Sequence, residues 1–389
     1  MPRFRKLRLR PLGFSILLGL VLAEIILRIA TRSIPTYADV LANALEHPER
    51  LYAPYAQLSY NVHDLYANGG LVTLRVSANR FIEPEPHGRY AYHVLFLGGS
   101  TTEALYVPED KRWVALINQP GTIATYNAAQ AGANTLDKYF TFRYLTDQGF
   151  KFDLVVLATS VNDYTALYSL PKYGFKYRVD SYQQGRAAVF DAEYRADVWT
   201  VIRDNVRLIS LIDRIIANSR GQAGVRDALV QDYLHAVQGK QVVSLDQCEN
   251  TAAAVQEYAA NARANIKVLA DVVKATGAKL LVIDEATSFG APASGFQVDI
   301  RQGLVCSPNT ILDSAGSHEL FKQIDQAYLQ AGQEAGAMTF DLAAAMDGFS
   351  SGPDGAVYMY DAVHYTPVGN AKAAQILRPV IDSALADTF

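Results

Sequence analysis

His93–Thr102 reads HVLFLGGSTT, five apolar or β-favouring residues running without polar alternation into two glycines, a serine and two threonines. Unbroken apolar character over this length is the mark of a strand buried on both faces, as in a parallel sheet covered by helices. The glycines then let the chain turn sharply, and the serine falls at the start of the following helix. Four more stretches repeat the pattern: Thr122–Asn127 (TIATYN), Asp153–Thr159 (DLVVLAT), Lys279–Asp284 (KLLVID) and Met338–Leu342 (MTFDL). Helical periodicity fills Ala252–Thr276 and Ser317–Ala335. A last helix is predicted over Pro367–Leu385, with Thr366 as N-cap and Pro367 at its first position. Strand and helix alternating in this way predict a three-layer α/β/α sandwich with a central parallel sheet.

In such sheets ligands bind outside the carboxyl ends of the strands, so the residues after each strand hold the candidates for chemistry. Ser100 follows the first strand, at the start of a helix whose free N–H groups suit an anion. Gly-Gly-Ser is also common in plain turns. The segment is neither a P-loop nor a G-x-S-x-G elbow, since Thr102 stands where the last glycine would be. After the second strand, Gly132 can present its backbone N–H to an oxyanion or be a simple turn glycine. After the third, Asn162 can offer a side-chain N–H to the same oxyanion or serve only a turn. Near the C-terminus Asp361-Ala-Val-His364 sets a carboxylate three residues before an imidazole, a spacing that lets Asp361 orient His364 toward a serine.

The rest of the 389 residues bounds the setting. A net charge of −4 argues against nucleic acid as a partner. Arg3, Arg5, Lys6, Arg8 and Arg10 precede an apolar run from Leu12 to Ala30, interrupted by Glu24 and Arg28. A basic flank before an apolar run of this length predicts a single-pass signal anchor over residues 1–32. The remainder is then expected on the periplasmic side of the inner membrane, with the membrane itself as a partner through the N-terminal helix. Residues 33–90, punctuated by prolines, read as a stalk or lead-in, and 91–389 as one α/β domain. Within that domain 164–250, rich in tyrosine and with a helical segment near Trp199–Ala217, reads as an insertion acting as a lid or substrate wall. Cys248 and Cys306 lack zinc or redox spacing and fit either a disulfide of an exported chain or two buried thiols.

In their order and position these pieces resemble the SGNH/GDSL hydrolase superfamily over roughly residues 93–385. The resemblance implies a flavodoxin-like hydrolase fold with Ser100 as nucleophile, His364 as base and Asp361 as the carboxylate that orients it. It implies an oxyanion hole built from the backbones of Ser100 and Gly132 and the side chain of Asn162, with no metal or cofactor. Two positions depart from the family pattern: Gly99 stands where an aspartate is usual, as in membrane-anchored bacterial branches, and Ser160 where a glycine is usual. The implied activity is ester hydrolysis on a small-molecule or glycan substrate of the cell envelope, removal of O-acyl groups coming first. O-acetyl transfer to an exopolysaccharide or peptidoglycan uses the same residues. A non-catalytic glycan-binding or assembly module is the reading from a different class.

Overall fold

The computed structural model describes residues 9–30, 49–169, 176–188, 225, 239–248, 251–288, 305–307, 310–346 and 358–386. The chain forms two compact units, one of residues 1–47 with 184–222 and one of 48–183 with 223–389.

In the first unit, helix α1 (Leu9–Ala30) covers the predicted anchor. Its side chains are described from Leu18 to Leu27 and at Ile29, and the large aliphatic ones among them other than Leu27 are about half exposed or more, from 48% at Val21 to 67% at Ile29. Among the described residues no helix is long and apolar enough to cross a membrane. The basic flank and the start of the apolar run, through Leu17, carry side chains outside the described residues.

The second unit opens with an antiparallel hairpin, β1 (Gln57–Asn61) paired with β2 (Leu71–Arg75). From residue 49 onward the stretch read as a lead-in is therefore folded. Val62, Leu65, Val72, Leu74, Val76, Phe81 and Ile82 are all buried, so it contributes its own apolar clusters rather than a spacer.

Next come β3 (Tyr92–Gly98), α2 (Ser100–Glu103), α3 (Trp113–Ile117), β4 (Ile123–Asn127), α4 (Thr135–Asp147), β5 (Leu154–Ala158) and α5 (Ser160–Ser169). After the insertion follow β6 (Gln241–Val243), α6 (Thr251–Ala275), β7 (Lys279–Ile283), β8 (Val305–Ser307), β9 (Thr310–Leu312) and α7 (Ser314–Glu334). The chain closes with β10 (Met338–Phe340), α8 (Leu342–Ala345) and α9 (Pro367–Ala386). The five predicted strands are β3, β4, β5, β7 and β10, and they form one sheet in the order β10-β7-β5-β3-β4 with every pairing parallel. Numbered along the chain this order is 2-1-3-4-5, the flavodoxin-like arrangement that the resemblance implies. Its switch point lies between β3 and β5, which run side by side from Val94–Leu154 to Gly98–Ala158.

Both faces are covered, as the unbroken apolar strands require. Val94, Phe96, Leu154, Val156, Leu281 and Ile283 share one cluster with Trp113 and Ile117 of α3 and Leu377 and Ile381 of α9. The alternate residues Leu95, Leu97, Val155, Leu157 and Val282 are equally buried and face the side where α4, α6 and α7 pack. Thr366 caps α9 as predicted, its hydroxyl accepting from Gly369 N at 3.2 Å.

A small separate sheet joins β6, β9 and β8. Beside it Cys248 is disulfide-bonded, and Cys306 in β8 is the only other cysteine of the chain. Much of the predicted insertion, including Trp199–Ala217, Tyr173 and the Tyr168 side chain, lies outside the described residues. Of its other tyrosines, Tyr164, Tyr177 and Tyr182 are buried against the fold.

Candidate active site

Each of the sequence-selected groups stands at the carboxyl edge of the sheet, around the switch point. β3 delivers Ser100 through Gly99 to the first residue of α2. β5 delivers Asn162 in the first turn of α5. The two turns touch so closely that a Cβ built on Gly99 would overlap Asn162 Nδ2. This is a steric reason for glycine at a position where the family resemblance expects aspartate. Asn162 Nδ2 donates to Ala133 O at 2.9 Å with one of its two hydrogens and keeps the other.

The loop before α9 supplies the remaining pair. Asp361 Oδ1 accepts from the backbone N–H of Val363 (2.9 Å) and of His364 (2.8 Å), a local turn that locks the carboxylate against its own loop. Its other oxygen is left for the imidazole, which Oδ2 meets at Nδ1 over 2.6 Å. The three-residue spacing thus has a physical purpose: one carboxylate oxygen folds the loop while the other orients the ring. With Nδ1 donating to Asp361, Nε2 is an acceptor, and it lies 2.7 Å from Ser100 Oγ. Tyr360 stacks on the imidazole with the ring planes 9° apart. The loop is pinned by Ser288 Oγ, which donates to Asp361 O (2.9 Å), and by Asn370, whose Nδ2 donates to Tyr365 O (3.1 Å) and Thr366 O (3.0 Å).

Burial opposes a charged imidazolium. The Asp361 carboxylate outweighs it by charge and hydrogen bond, with Glu285 and Glu103 adding to the effect, so the His364 pKa is raised. The His364 side chain keeps a quarter of its surface exposed, and Ser100 is half-buried.

Gly132 sits in the loop after β4 with φ +69°, a left-handed conformation that favours glycine. Arg50, from the segment ahead of β1, donates through Nη1 to Gly132 O at 2.7 Å and lies 3.4 Å from Asp137 Oδ2. Among the described residues none accepts from the N–H of Gly132 or of Ser100. The loop is closed by Asn134, which caps α4 with its side chain and donates from Nδ2 to Tyr182 OH at 2.6 Å.

Three buried carboxylates surround this edge. Asp163 accepts from Thr135 N (3.2 Å), Thr135 Oγ1 (2.8 Å), Thr159 Oγ1 (2.7 Å) and Tyr177 OH, fastening α4 to α5; burial pushes its pKa up to about 6 against those bonds. Glu103, one turn beyond Ser100, accepts from Tyr52 OH. Glu285 follows β7 and accepts from Thr101 Oγ1, from Val161 N at 3.3 Å and from Ser160 Oγ at 3.5 Å. Sequence reasoning passed over Glu285, Arg50 and Tyr360. For Glu285 the signal was present: Asp284-Glu285 directly follows a predicted strand, where the same rule singled out Ser100 and Asn162. Nothing local marks Arg50, since its partners lie more than eighty residues away.

No protein-family model matches the chain, and no curated protein matches it. Among solved structures it is similar to the acetylxylan esterase Axe2 of Geobacillus stearothermophilus, at 14% identity and TM-score 0.36, over 75% of this chain and 94% of that one. It is also similar to an extracellular lipase of Streptomyces rimosus, at 15% identity and TM-score 0.38, over 76% and 100%. A third likeness is to LAE5, an α/β hydrolase enzyme from the metagenome of Lake Arreo in Spain, at 11% identity and TM-score 0.37, over 78% and 98%.

Proposed function

We propose that this protein is a serine ester hydrolase of the cell envelope that removes O-acyl groups, acetyl foremost, from a carbohydrate or related substrate. The observation that carries the reading is the continuous chain Asp361 Oδ2–His364 Nδ1, His364 Nε2–Ser100 Oγ at 2.6 and 2.7 Å. It ends on a serine flanked by uncommitted N–H groups. Such a chain serves nucleophilic acyl transfer.

The steps follow from the geometry. Ser100 Oγ attacks the ester carbonyl carbon while His364 Nε2 takes the hydroxyl proton, and the carbonyl oxygen becomes an oxyanion. The N–H groups of Ser100 and Gly132 and the second amide hydrogen of Asn162 are its donors. Collapse expels the alcohol, which receives the proton from His364, and leaves an acyl-serine. Water, deprotonated by His364, attacks that ester; the acyl group departs as a carboxylic acid and Ser100 regains its proton. His364 works as a base only when neutral, so the raised pKa places the acidic limb of kcat/KM above the ordinary histidine value of about 6.5.

The envelope setting rests on the basic flank and exposed aliphatic face of α1, and on the disulfide at Cys248, a bond that persists in oxidising compartments. The test uses the full chain in detergent, with p-nitrophenyl acetate and an acetylated oligosaccharide. Parent protein is expected to release acetate from both, and Ser100→Ala to lose that release by about a thousandfold or more. Turnover unchanged in Ser100→Ala would overturn the assignment. Acetate appearing on an added sugar acceptor instead of in water would make the protein an O-acetyltransferase.

A further inference from the structure

We propose that Glu285 is a positioning residue of this site, tying the nucleophile turn to the turn that carries Asn162. The inference rests on the hydrolase reading above and deepens it.

Glu285 is 2% exposed, and each carboxylate oxygen serves a different strand end. Oε1 accepts from the hydroxyl of Thr101, the residue after Ser100. Oε2 accepts from the N–H of Val161, the residue before Asn162, and from the Ser160 hydroxyl. β3 and β5 are adjacent in the sheet, and Glu285 arrives at the end of β7, beside β5. One carboxylate therefore sets the spacing between Ser100 and Asn162, which must close on the same substrate oxygen. Ser160, where the family resemblance expects glycine, brings its hydroxyl within reach of both Glu285 (3.5 Å) and Asp325.

A buried carboxylate is expensive where a neutral group would fit, so its retention calls for a use. Its hydrogen-bond donors are Thr101 from α2 and Ser160 and Val161 from α5. Burial raises the Glu285 pKa to about 7, while the bonds from Thr101 and Val161 act in the opposite direction.

The test compares parent, Glu285→Gln and Glu285→Asp, all checked for folding by circular dichroism. In Glu285→Gln, kcat is expected to fall about tenfold with KM within about twofold, because the binding surface is untouched while the reacting groups shift. Glu285→Asp keeps a carboxylate one methylene short and should recover part of the kcat. The Asn162 side-chain amide signal, followed by NMR, should shift in Glu285→Gln and requires no turnover. Added to Asn162→Ala, Glu285→Gln should bring little further loss, because both changes act on one donor. A lowered melting temperature with kcat and the amide signal unmoved would make Glu285 merely structural and overturn the proposal. If Glu285→Gln does not fold, Thr101→Val cuts the same tie and should lower kcat. An unaltered kcat there would equally overturn the tie. Absence of Ser100-dependent turnover in the parent would sink the hydrolase reading instead, with the Asn162 amide signal still deciding the tie.

Discussion

At the scale of single residues, the Gly99–Asn162 contact decides how the oxyanion site is built. Asn162→Ala removes one donor and should lower kcat about 100- to 1000-fold with little change in KM. Gly99→Ala forces a methyl onto the Asn162 amide and should displace it with a comparable loss. Because both changes act on one amide, the double variant should be about as slow as either single one. Steady-state kinetics of the three proteins check this, and additive losses would show that Gly99 serves something other than Asn162. Asp361 and His364 were legible in the sequence because their relation is local, three residues apart on one loop. Ser100, Gly132 and Asn162 were legible once each was placed after a strand. Glu285 was equally placed but unread, since a glutamate after an apolar run resembles any solvated strand end until its burial is seen. Arg50 was illegible for a different reason: its bond to the Gly132 carbonyl exists only through tertiary folding.

At the scale of elements, the loop from Tyr358 to Thr366 is tied down by α9. Asn370 in the first turn of α9 is fully buried, donates to Tyr365 O and Thr366 O, and accepts from Trp113 N at 2.9 Å. Asn370→Ala leaves Tyr365 O and Trp113 N without these bonds, while Thr366 O keeps the backbone N–H of residue 370 at 2.8 Å. It should destabilise the protein by about 1–3 kcal/mol and lower kcat at temperatures where the chain remains folded. Thermal melts together with kinetics at 20 °C or so check both effects; a melting temperature equal to the parent's would show that the loop is held elsewhere. The long elements were readable because their signal is strong. β5 is buried at all five residues, and α6 and α7 keep an apolar stripe over 25 and 21 residues. The hairpin β1–β2 was not read as structure. Prolines at 54, 84 and 86 flank the hairpin and give the stretch the look of a linker, while the signal for strand pairing lies in the partner strand rather than in either five-residue segment. β6, β8 and β9 are three residues each, too short for any periodicity.

At the scale of the whole molecule, the fold stores several carboxyl groups where water does not reach, and stability should respond to pH accordingly. Burial raises the pKa of Asp284 to about 8, that of Glu285 to about 7 and that of Asp163 to about 6. In the unfolded chain each would titrate near 4. Between those values the folded state binds more protons than the unfolded state, so stability falls as pH rises. The contribution is complete below about pH 4 and is lost as pH climbs through 6 to 8. Asp284 offers a test because its hydrogen-bond partners lie in α8 rather than among the site residues. Its Oδ1 accepts from Leu342 N (2.6 Å) and Ala343 N (3.0 Å) at the start of α8, with the Asp341 carboxylate as a like charge that raises its pKa further. An asparagine keeps that acceptor and removes the charge. Asp284→Asn should therefore melt close to the parent at pH 5 and above it at pH 8, with a flatter decline between. Melting curves at half-unit steps from pH 5 to 8.5 check the slope. Two parallel curves would mean that Asp284 is ionised throughout, held so by the α8 N–H groups, and that the pH response of the fold resides in the carboxylates nearer the site.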